Sequence, residues 1–261
     1  MSDISEKCNT FAGMKYNIDG NIIAFSTERG CQDATQPYDG FNITYYTDDA
    51  PEHISICHRM LSTALLGIGK DRLILPRQVH GTEIAEVTEE NLHDKFDGID
   101  ALMTTLPRTC IGVSTADCVP ILIYDTHARA IAAAHAGWRG TVNRIGRMTI
   151  EAMTKRYGSR AEHLKIVIGP SIGPDSFEVG DEVYDAFNEA HFPMNQIAFK
   201  QNGKWHIDLW QANALDLQQI GVAKENIQIT GICTYQQYER FFSARRLGIK
   251  SGRIYTGIMI K

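Results

Sequence analysis

Three short motifs of the chain each place a side chain that can bind a metal ion beside a glycine or a turn. They are Gln78-Val79-His80-Gly81, Thr115-Ala116-Asp117-Cys118-Val119-Pro120 and His135-Ala136-Gly137-Trp138-Arg139-Gly140. Together they offer two imidazoles and one thiolate, which is the ligand count of a catalytic zinc site that keeps a fourth position for water or substrate. Because long stretches of chain separate the motifs, their spacing leaves other uses of these residues open.

The same residues permit two other interpretations. Cys118 and His135 could be a catalytic nucleophile and its base, because a neighbouring imidazole favours the thiolate. Alternatively, Cys118 is a small buried apolar residue and the two histidines brace loops. The HxE…PCxxC pattern of the base-editing deaminases is absent, as are P-loop, Rossmann and HExxH motifs. The sequence therefore gives no support for ATP hydrolysis, dinucleotide redox chemistry or zincin proteolysis.

Charged residues in and near conspicuous motifs are candidates for substrate contacts. Arg139, Arg245 and Arg246 could bind phosphate, because the guanidinium fork matches the geometry of its oxygens. Each could equally form an ion pair at the surface. Asp117 precedes Cys118 and could orient a ligand imidazole, act as a general base, or bond to its own turn.

Buried strands and short turns must position these side chains. Three apolar runs, at 110–114, 119–124 and 130–134, are typical of buried strands. Cys118 follows the first run and His135 directly follows the third. Strand ends, where a rigid scaffold meets an adaptable loop, commonly carry active-site residues.

The remaining pattern predicts a mixture of strands and helices. Further strands are predicted at 21–26, 73–75, 84–87, 165–168 and 227–232, and helices over 52–66, 140–157, 180–190 and 208–220, with Asp208 as a helix N-cap. Because runs of strands alternate with strand–helix units, we predict an α+β fold, a layered sandwich of mixed sheets covered by helices. No linker or repeat is visible, so we predict one domain over residues 1–261.

Composition and charge exclude several classes of function. The chain has 31 acidic and 26 basic residues, a net charge of -5, and no dense basic tract, so nucleic-acid binding is disfavoured. No apolar run could span a membrane, and the N-terminus lacks the features of a signal peptide. Six scattered cysteines without a CxxC pair are typical of a reducing compartment. We expect a cytoplasmic protein, a monomer or weak homo-oligomer.

Taken together, several motifs resemble the YfiH-like family, also called the DUF152, laccase-domain polyphenol oxidase or peptidoglycan editing factor family. They are QVHG, TADCVP, AHAGWRG, IGPSIG with FEVGDEV, and CTY followed by FFSARR. The resemblance runs in order from Phe25 to Arg246. It implies the CNF/YfiH-like cysteine hydrolase fold, an α/β sandwich shared with a toxin deamidase that uses a Cys/His pair. The chain departs from the family pattern at Glu28, at the single glycine of the stretch 25–31, and at Ala244, where an aromatic residue is common.

The resemblance also implies an activity. It implies a zinc ion, or copper in its place, held by His80, Cys118 and His135. It implies phosphorolysis of adenosine, inosine, guanosine and methylthioadenosine with inorganic phosphate, and adenosine deamination as a further activity. Two alternatives are copper-dependent polyphenol oxidation, and a Cys/His hydrolase that removes wrong amino acids from peptidoglycan precursors. The nine histidines form no HxH pair, which argues against a genuine multicopper laccase.

Overall fold

Fourteen strands and seven α-helices are present in residues 13–31 and 33–261, the part of the chain that the computed structural model describes. The strands are β1 (Gly13–Tyr16), β2 (Ile22–Thr27), β3 (Leu73–Ile74), β4 (Ile84–Glu86), β5 (Ala101–Thr104), β6 (Cys110–Thr115), β7 (Val119–Asp125), β8 (Ala130–Ala136), β9 (Leu164–Ile168), β10 (Glu178–Val179), β11 (Ala198–Gln201), β12 (Lys204–Ile207), β13 (Ile227–Ile229) and β14 (Ile254–Ile260). The helices are α1 (Pro51–Arg59), α2 (Trp138–Val142), α3 (Ile145–Tyr157), α4 (Asp181–Glu189), α5 (Met194–Ile197), α6 (Leu209–Gln219) and α7 (Ala244–Leu247).

Two mixed sheets stack face to face at the centre of the molecule. One has six strands in the order β13-β9-β7-β8-β5-β4, and the other has five in the order β1-β2-β14-β6-β3. Side chains alternate along β7, as the pleat of a strand requires. Ile121 and Ile123 pack with the helices, whereas Leu122 and Tyr124 pack toward the five-stranded sheet.

Helices cover the outer face of each sheet. Apolar residues of α3, α4 and α6 pack on the six-stranded sheet, and Cys57 and Leu61 pack on the five-stranded sheet against Phe25 and Tyr255. The result is a layer order of helix, sheet, sheet, helix. The prediction of an α+β sandwich of mixed sheets covered by helices is therefore confirmed, whereas the single domain stays a prediction.

The last strand, β14, lies in the middle of the five-stranded sheet. It pairs antiparallel with β2 on one side and with β6 on the other, and Ile254 lies opposite Thr115. Both neighbours come from the first half of the chain. A third, small sheet, β10-β12-β11, lies outside the sandwich and places Phe177, which precedes β10, beside the central layers.

Several elements differ from the sequence prediction. The helix predicted over 52–66 is α-helical only to Arg59 and continues as a π-helix over Met60–Leu65. The helix predicted over 140–157 is interrupted between α2 and α3, because Arg144 has the left-handed φ of 61°.

Asp208 caps α6 as predicted, since its carboxylate accepts the Gln211 N–H at 2.9 Å. No helix in the described part of the chain has both the length and the apolar character needed to cross a bilayer.

A buried arginine fixes the loop that follows β2. Arg29 is 1% exposed, and its guanidinium lies 4.6 Å from the centre of the Phe242 ring. It donates hydrogen bonds to the carbonyl oxygens of Ala34, Gln36, Asp39 and Tyr238. Because buried cations need such partners, this loop and the segment before α7 are held together. Arg29 itself lies in the stretch 25–31, where the chain departs from the family pattern at Glu28 and by having a single glycine.

Candidate metal centre and its cavity

The structure brings His80, Cys118 and His135 together at one end of the sandwich. Their ligand atoms all lie within 4.8 Å of one another. His80 lies in the loop after β3 with a left-handed φ of 61°, Cys118 ends the turn between β6 and β7, and His135 lies near the end of β8. Cys118 Sγ is 3.7 Å from His80 Nε2, and the two imidazole rings meet edge to face at 4.8 Å. Two nitrogens and one sulfur at this spacing fit a zinc-type site.

A buried carboxylate that the sequence analysis missed fixes both histidines. Asp100, just before β5, is fully buried. Its Oδ1 accepts hydrogen bonds from His135 Nδ1 at 2.8 Å and from the His80 N–H at 3.0 Å. Its Oδ2 accepts the N–H groups of Val79 and Gly81. Because an ionised carboxylate can only accept, His135 must donate from Nδ1, which leaves Nε2 for a metal ion.

The charged forms of Asp100, Cys118 and His135 stabilise one another. Burial alone would raise the pKa of Asp100, but hydrogen bonds from His135 and the loop amides lower it. Burial alone would raise the pKa of the Cys118 thiol, but His135 and His80 lower it to about 6. Burial alone would lower the pKa of His135, but Cys118 and Asp100 raise it to about 9. Without a metal ion these shifts favour the thiolate–imidazolium form of the pair.

The backbone passes close behind two of the ligands at Gly137. A Cβ atom at this position would lie 3.1 Å from Cys118 Sγ and 3.1 Å from His80 Cδ2. Such contacts are closer than carbon normally tolerates, so any side chain here must push a ligand aside. The glycine between β8 and α2 thus leaves the room that the donor set needs, which is consistent with a metal site.

We expect Gly137→Ala to weaken metal binding by about tenfold, because displaced ligands meet the ion in poorer geometry. Competition with a chromogenic chelator measures the change. Gly20→Ala is the matched control, since a Cβ there meets nothing within 4 Å. A Gly137→Ala protein that holds metal as tightly as the Gly20→Ala protein would contradict the assigned donor set.

A cavity of about 460 Å³ opens beside the three ligands. Ile172 and Phe177 belong to its apolar lining, and Arg245 and Arg253 are its basic lining residues. The Asp117 carboxylate also lines it. A space of this size, with an apolar part and a few polar groups, matches a small-molecule site.

Of the three predicted phosphate-binding arginines, Arg245 lines the cavity. Its Nη1 donates to the Glu178 carbonyl oxygen at 3.2 Å. The Arg139 guanidinium instead lies over the Trp138 ring, and that of Arg246 lies over the Tyr238 ring at 4.5 Å. Adjacent residues on a helix point about 100° apart, so Arg245 and Arg246 on α7 diverge. The structure therefore directs Arg139 and Arg246 to aromatic partners and not to the cavity.

Asp117 fixes the wall of the cavity opposite the sandwich core. Its carboxylate accepts hydrogen bonds from Thr234 Oγ1 and from the Arg245 N–H, both at 2.7 Å. The orienting contact to a ligand imidazole is made by Asp100 instead. That part of the prediction for Asp117 is corrected, because its two oxygens hold the C-terminal segment. A general-base role for Asp117, and catalytic roles for Cys118 and His135, stay predictions.

Known proteins resemble nearly the whole chain. The sequence profile of a family described as multi-copper polyphenol oxidoreductase laccase matches residues 23–261. A purine nucleoside phosphorylase of Bacteroides thetaiotaomicron is 43% identical over 251 residues, which are 92% of this chain and 92% of that protein. A protein named adenosine deaminase, from an unknown prokaryotic organism, is 43% identical over 250 residues, 92% of this chain and 94% of its own.

A solved structure shows the same fold. The crystal structure of the hypothetical protein YfiH of Bacillus licheniformis superposes with a TM-score of 0.88 at 24% sequence identity. The match covers 97% of this chain and 98% of that one. The two proteins therefore share the layered fold.

Proposed function

The chain belongs to the multi-copper polyphenol oxidoreductase laccase family, the YfiH-like family that its motifs resemble, and we propose that it is a zinc-dependent purine nucleoside phosphorylase. The reaction converts adenosine, inosine, guanosine or methylthioadenosine and inorganic phosphate to the free base and the corresponding ribose 1-phosphate. The observation that carries the proposal is one cavity with a His/Cys/His donor set and guanidinium groups. Relatives named purine nucleoside phosphorylase support the substrate class.

In this proposal His80, Cys118 and His135 hold the zinc ion. Two imidazoles and a thiolate match the ligands of catalytic zinc, and a copper ion could occupy the same donors. When bound, zinc supplies a Lewis acid that stabilises negative charge developing beside it. Asp100 holds both histidine-bearing segments in place, which limits how far the donors must move on binding.

The residues around the metal site provide what phosphorolysis needs from a protein. Arg245 offers a charged, forked donor to an anionic nucleophile. Phe177 and Ile172 give a purine base an apolar surface and exclude water from the glycosidic bond. Water must be excluded because it would compete with phosphate and release free ribose.

Adenosine deamination is the second candidate activity. A relative that is 43% identical is named adenosine deaminase. In this reaction water replaces the amino group at purine C6, giving inosine and ammonia, so a group must accept a proton from the water. Asp117 lines the cavity beside Cys118 and is the candidate general base.

The two other activities have less support. Among residues 13–31 and 33–261, the His80, Cys118 and His135 group is the one cluster of three or more donors close enough to hold a metal ion. A multicopper oxidase needs several such groups, so laccase chemistry is disfavoured. A Cys118–His135 hydrolase acting on peptidoglycan precursors fits the thiolate–imidazolium pair, but it requires the site without metal. Scattered cysteines without a CxxC pair support action in the reducing cytoplasm.

Phosphate dependence is the test of the leading proposal. Protein purified without a metal-affinity tag is analysed for zinc and copper and then incubated with inosine, with and without phosphate. We expect about one zinc per chain and release of hypoxanthine only when phosphate is present. Conversion of adenosine to inosine without phosphate would favour the deaminase. Metal-free protein that turns over no nucleoside would contradict both and favour the cysteine hydrolase.

A further inference from the structure

We propose that Arg253 and Thr115 form an anion subsite in the wall of the cavity and that inorganic phosphate binds there. Arg253 belongs to none of the motifs that predicted the metal site, whereas Thr115 stands in one of them, three residues before Cys118. Both line the same cavity as the His80, Cys118 and His135 cluster. The identity of the anion as phosphate rests on the proposed function, whereas the existence of the subsite does not.

The hydrogen bonds of Arg253 leave one side of its guanidinium free. Nη1 donates to the carbonyl oxygens of Ser251 and Gly252, and Nη2 donates to that of Ile249. These three bonds occupy the end of the guanidinium. In the described part of the chain the Nε–H and one N–H of Nη2 have no partner, so two donors remain for the oxygens of a phosphate or carboxylate.

The charge of Arg253 also lacks a direct counterion. Within the described ranges 13–31 and 33–261, no carboxylate lies within ion-pair distance of Arg253 or Arg245. Burial lowers the pKa of Arg253, and the more distant charges of Tyr46, Cys118 and Asp117 oppose that effect only in part. A partly buried cation without a paired anion favours an anionic ligand in the adjoining cavity.

Thr115 supplies a second, independent observation. It is 1% exposed, and its Oγ1 is buried without a hydrogen-bond partner. Buried hydroxyl groups are nearly always bonded, and this one has no partner among the described residues and lies just beneath the cavity wall, so rotation of the Thr115 side chain would offer an unused donor to a ligand. Thr115 lies opposite Ile254 in the β6–β14 pair, and Arg253 directly precedes Ile254. The hydroxyl and the guanidinium therefore lie at the same end of two adjacent strands.

The subsite explains how two substrates of different charge could share one cavity. A nucleoside is neutral and needs the apolar surface of Phe177 and Ile172. Phosphate needs the forked cation and the hydroxyl on the neighbouring wall. Arg245 reaches the cavity from α7 and offers a second cation to the same anion. The two walls would place the phosphate next to the sugar of a bound nucleoside.

The test is phosphate affinity, measured with inorganic phosphate alone by calorimetry and as the KM for phosphate in the inosine reaction. Arg253→Lys keeps the charge and removes the fork, and Thr115→Val removes the hydroxyl at constant shape. We expect Arg253→Lys to weaken phosphate binding about 30-fold and Thr115→Val about tenfold. The zinc content and the KM for inosine should stay within about twofold. Arg160→Met, at an exposed arginine, is the control.

Thermal unfolding of Thr115→Val gives a second test, which remains valid if Arg253→Lys disturbs the 249–252 loop. Thr115→Val removes an unsatisfied buried hydroxyl, so the phosphate-free variant should be at least as stable as the wild-type protein. Added phosphate should raise its Tm less than it raises that of the wild type. Equal phosphate-induced shifts and unchanged phosphate KM in both variants would overturn the subsite. Phosphate binding that depends on Arg253 without any phosphorolysis would keep the subsite and overturn the proposed function.

Discussion

Replacing Cys118 by alanine should remove the bound metal and lower nucleoside turnover by at least about three orders of magnitude. The thiolate is the only charged donor of the His80, Cys118 and His135 set, so its loss leaves two imidazoles that hold zinc weakly. A bound metal ion supplies several kcal/mol of transition-state stabilisation, and about 1.4 kcal/mol corresponds to a tenfold rate. Metal content per chain and turnover of inosine, measured on the same preparation, check both parts.

Two further variants make this result specific. Cys118→Ser keeps the shape of the side chain, so a loss shared by both variants comes from the sulfur and not from a cavity. Cys31→Ala is the matched control, because Cys31 lies in the loop after β2, where its thiol donates to the Glu239 carbonyl oxygen. A Cys118→Ala protein that retains full zinc but no activity would favour the cysteine nucleophile. Retention of both would exclude Cys118 from the chemistry.

Replacing Asp100 by asparagine leaves all three ligand residues unchanged but should weaken metal binding by about 10- to 100-fold. Four donors converge on this carboxylate: His135 Nδ1 and the N–H groups of residues 79–81. An amide has one acceptor oxygen and presents an N–H of its own, so it cannot satisfy them all. Each orphaned buried donor costs about 1–3 kcal/mol, and the loop that carries His80 should loosen.

Chelator competition measures the affinity change, and thermal unfolding of the metal-free protein measures the structural one. Because the pKa of Asp100 is lowered in the folded state, its stabilising contribution is present above the ordinary aspartate range and is lost as the pH falls. The variant should therefore lose less stability on acidification than the wild-type protein. Asp94→Asn, at an exposed aspartate, is the control. Unchanged metal affinity in Asp100→Asn would show that the histidines are positioned without this carboxylate.

The family resemblance of the motifs was sufficient to predict that His80, Cys118 and His135 form one cluster, and the local pattern was sufficient to predict the central strands. His80, Cys118 and His135 stand beside glycines and turns at the ends of apolar runs, and strands β6, β7 and β8 extend those runs by one or two residues. Buried strands of this kind have few alternatives, because each residue must pack on one of two faces. The layered α+β architecture follows from the order of these elements.

The remainder of the site depends on contacts that no local pattern carries. Asp100 belongs to no motif, and its role arises from a loop twenty residues earlier and a strand thirty-five residues later. Arg139 belongs to the third motif but turns to Trp138, since membership of a motif does not set the direction of a side chain. Strands β10 to β12 are short, and β11 is largely exposed, so they lack the apolar signal that revealed the central strands.

The central position of β14 has a consequence for synthesis on the ribosome. Until its seven residues are made, β2 and β6 each present an open edge, and the wall that carries Arg253 does not exist. Open edges are prone to pair with other chains, so a nascent or prematurely terminated product should be aggregation-prone and inactive. Because β14 is the last strand of the described sheets in chain order, the Cys118 site acquires its complete surroundings only after every other strand has been synthesised. Proteolytic quality control therefore has an interval in which to remove chains that lack β14 before this site is complete.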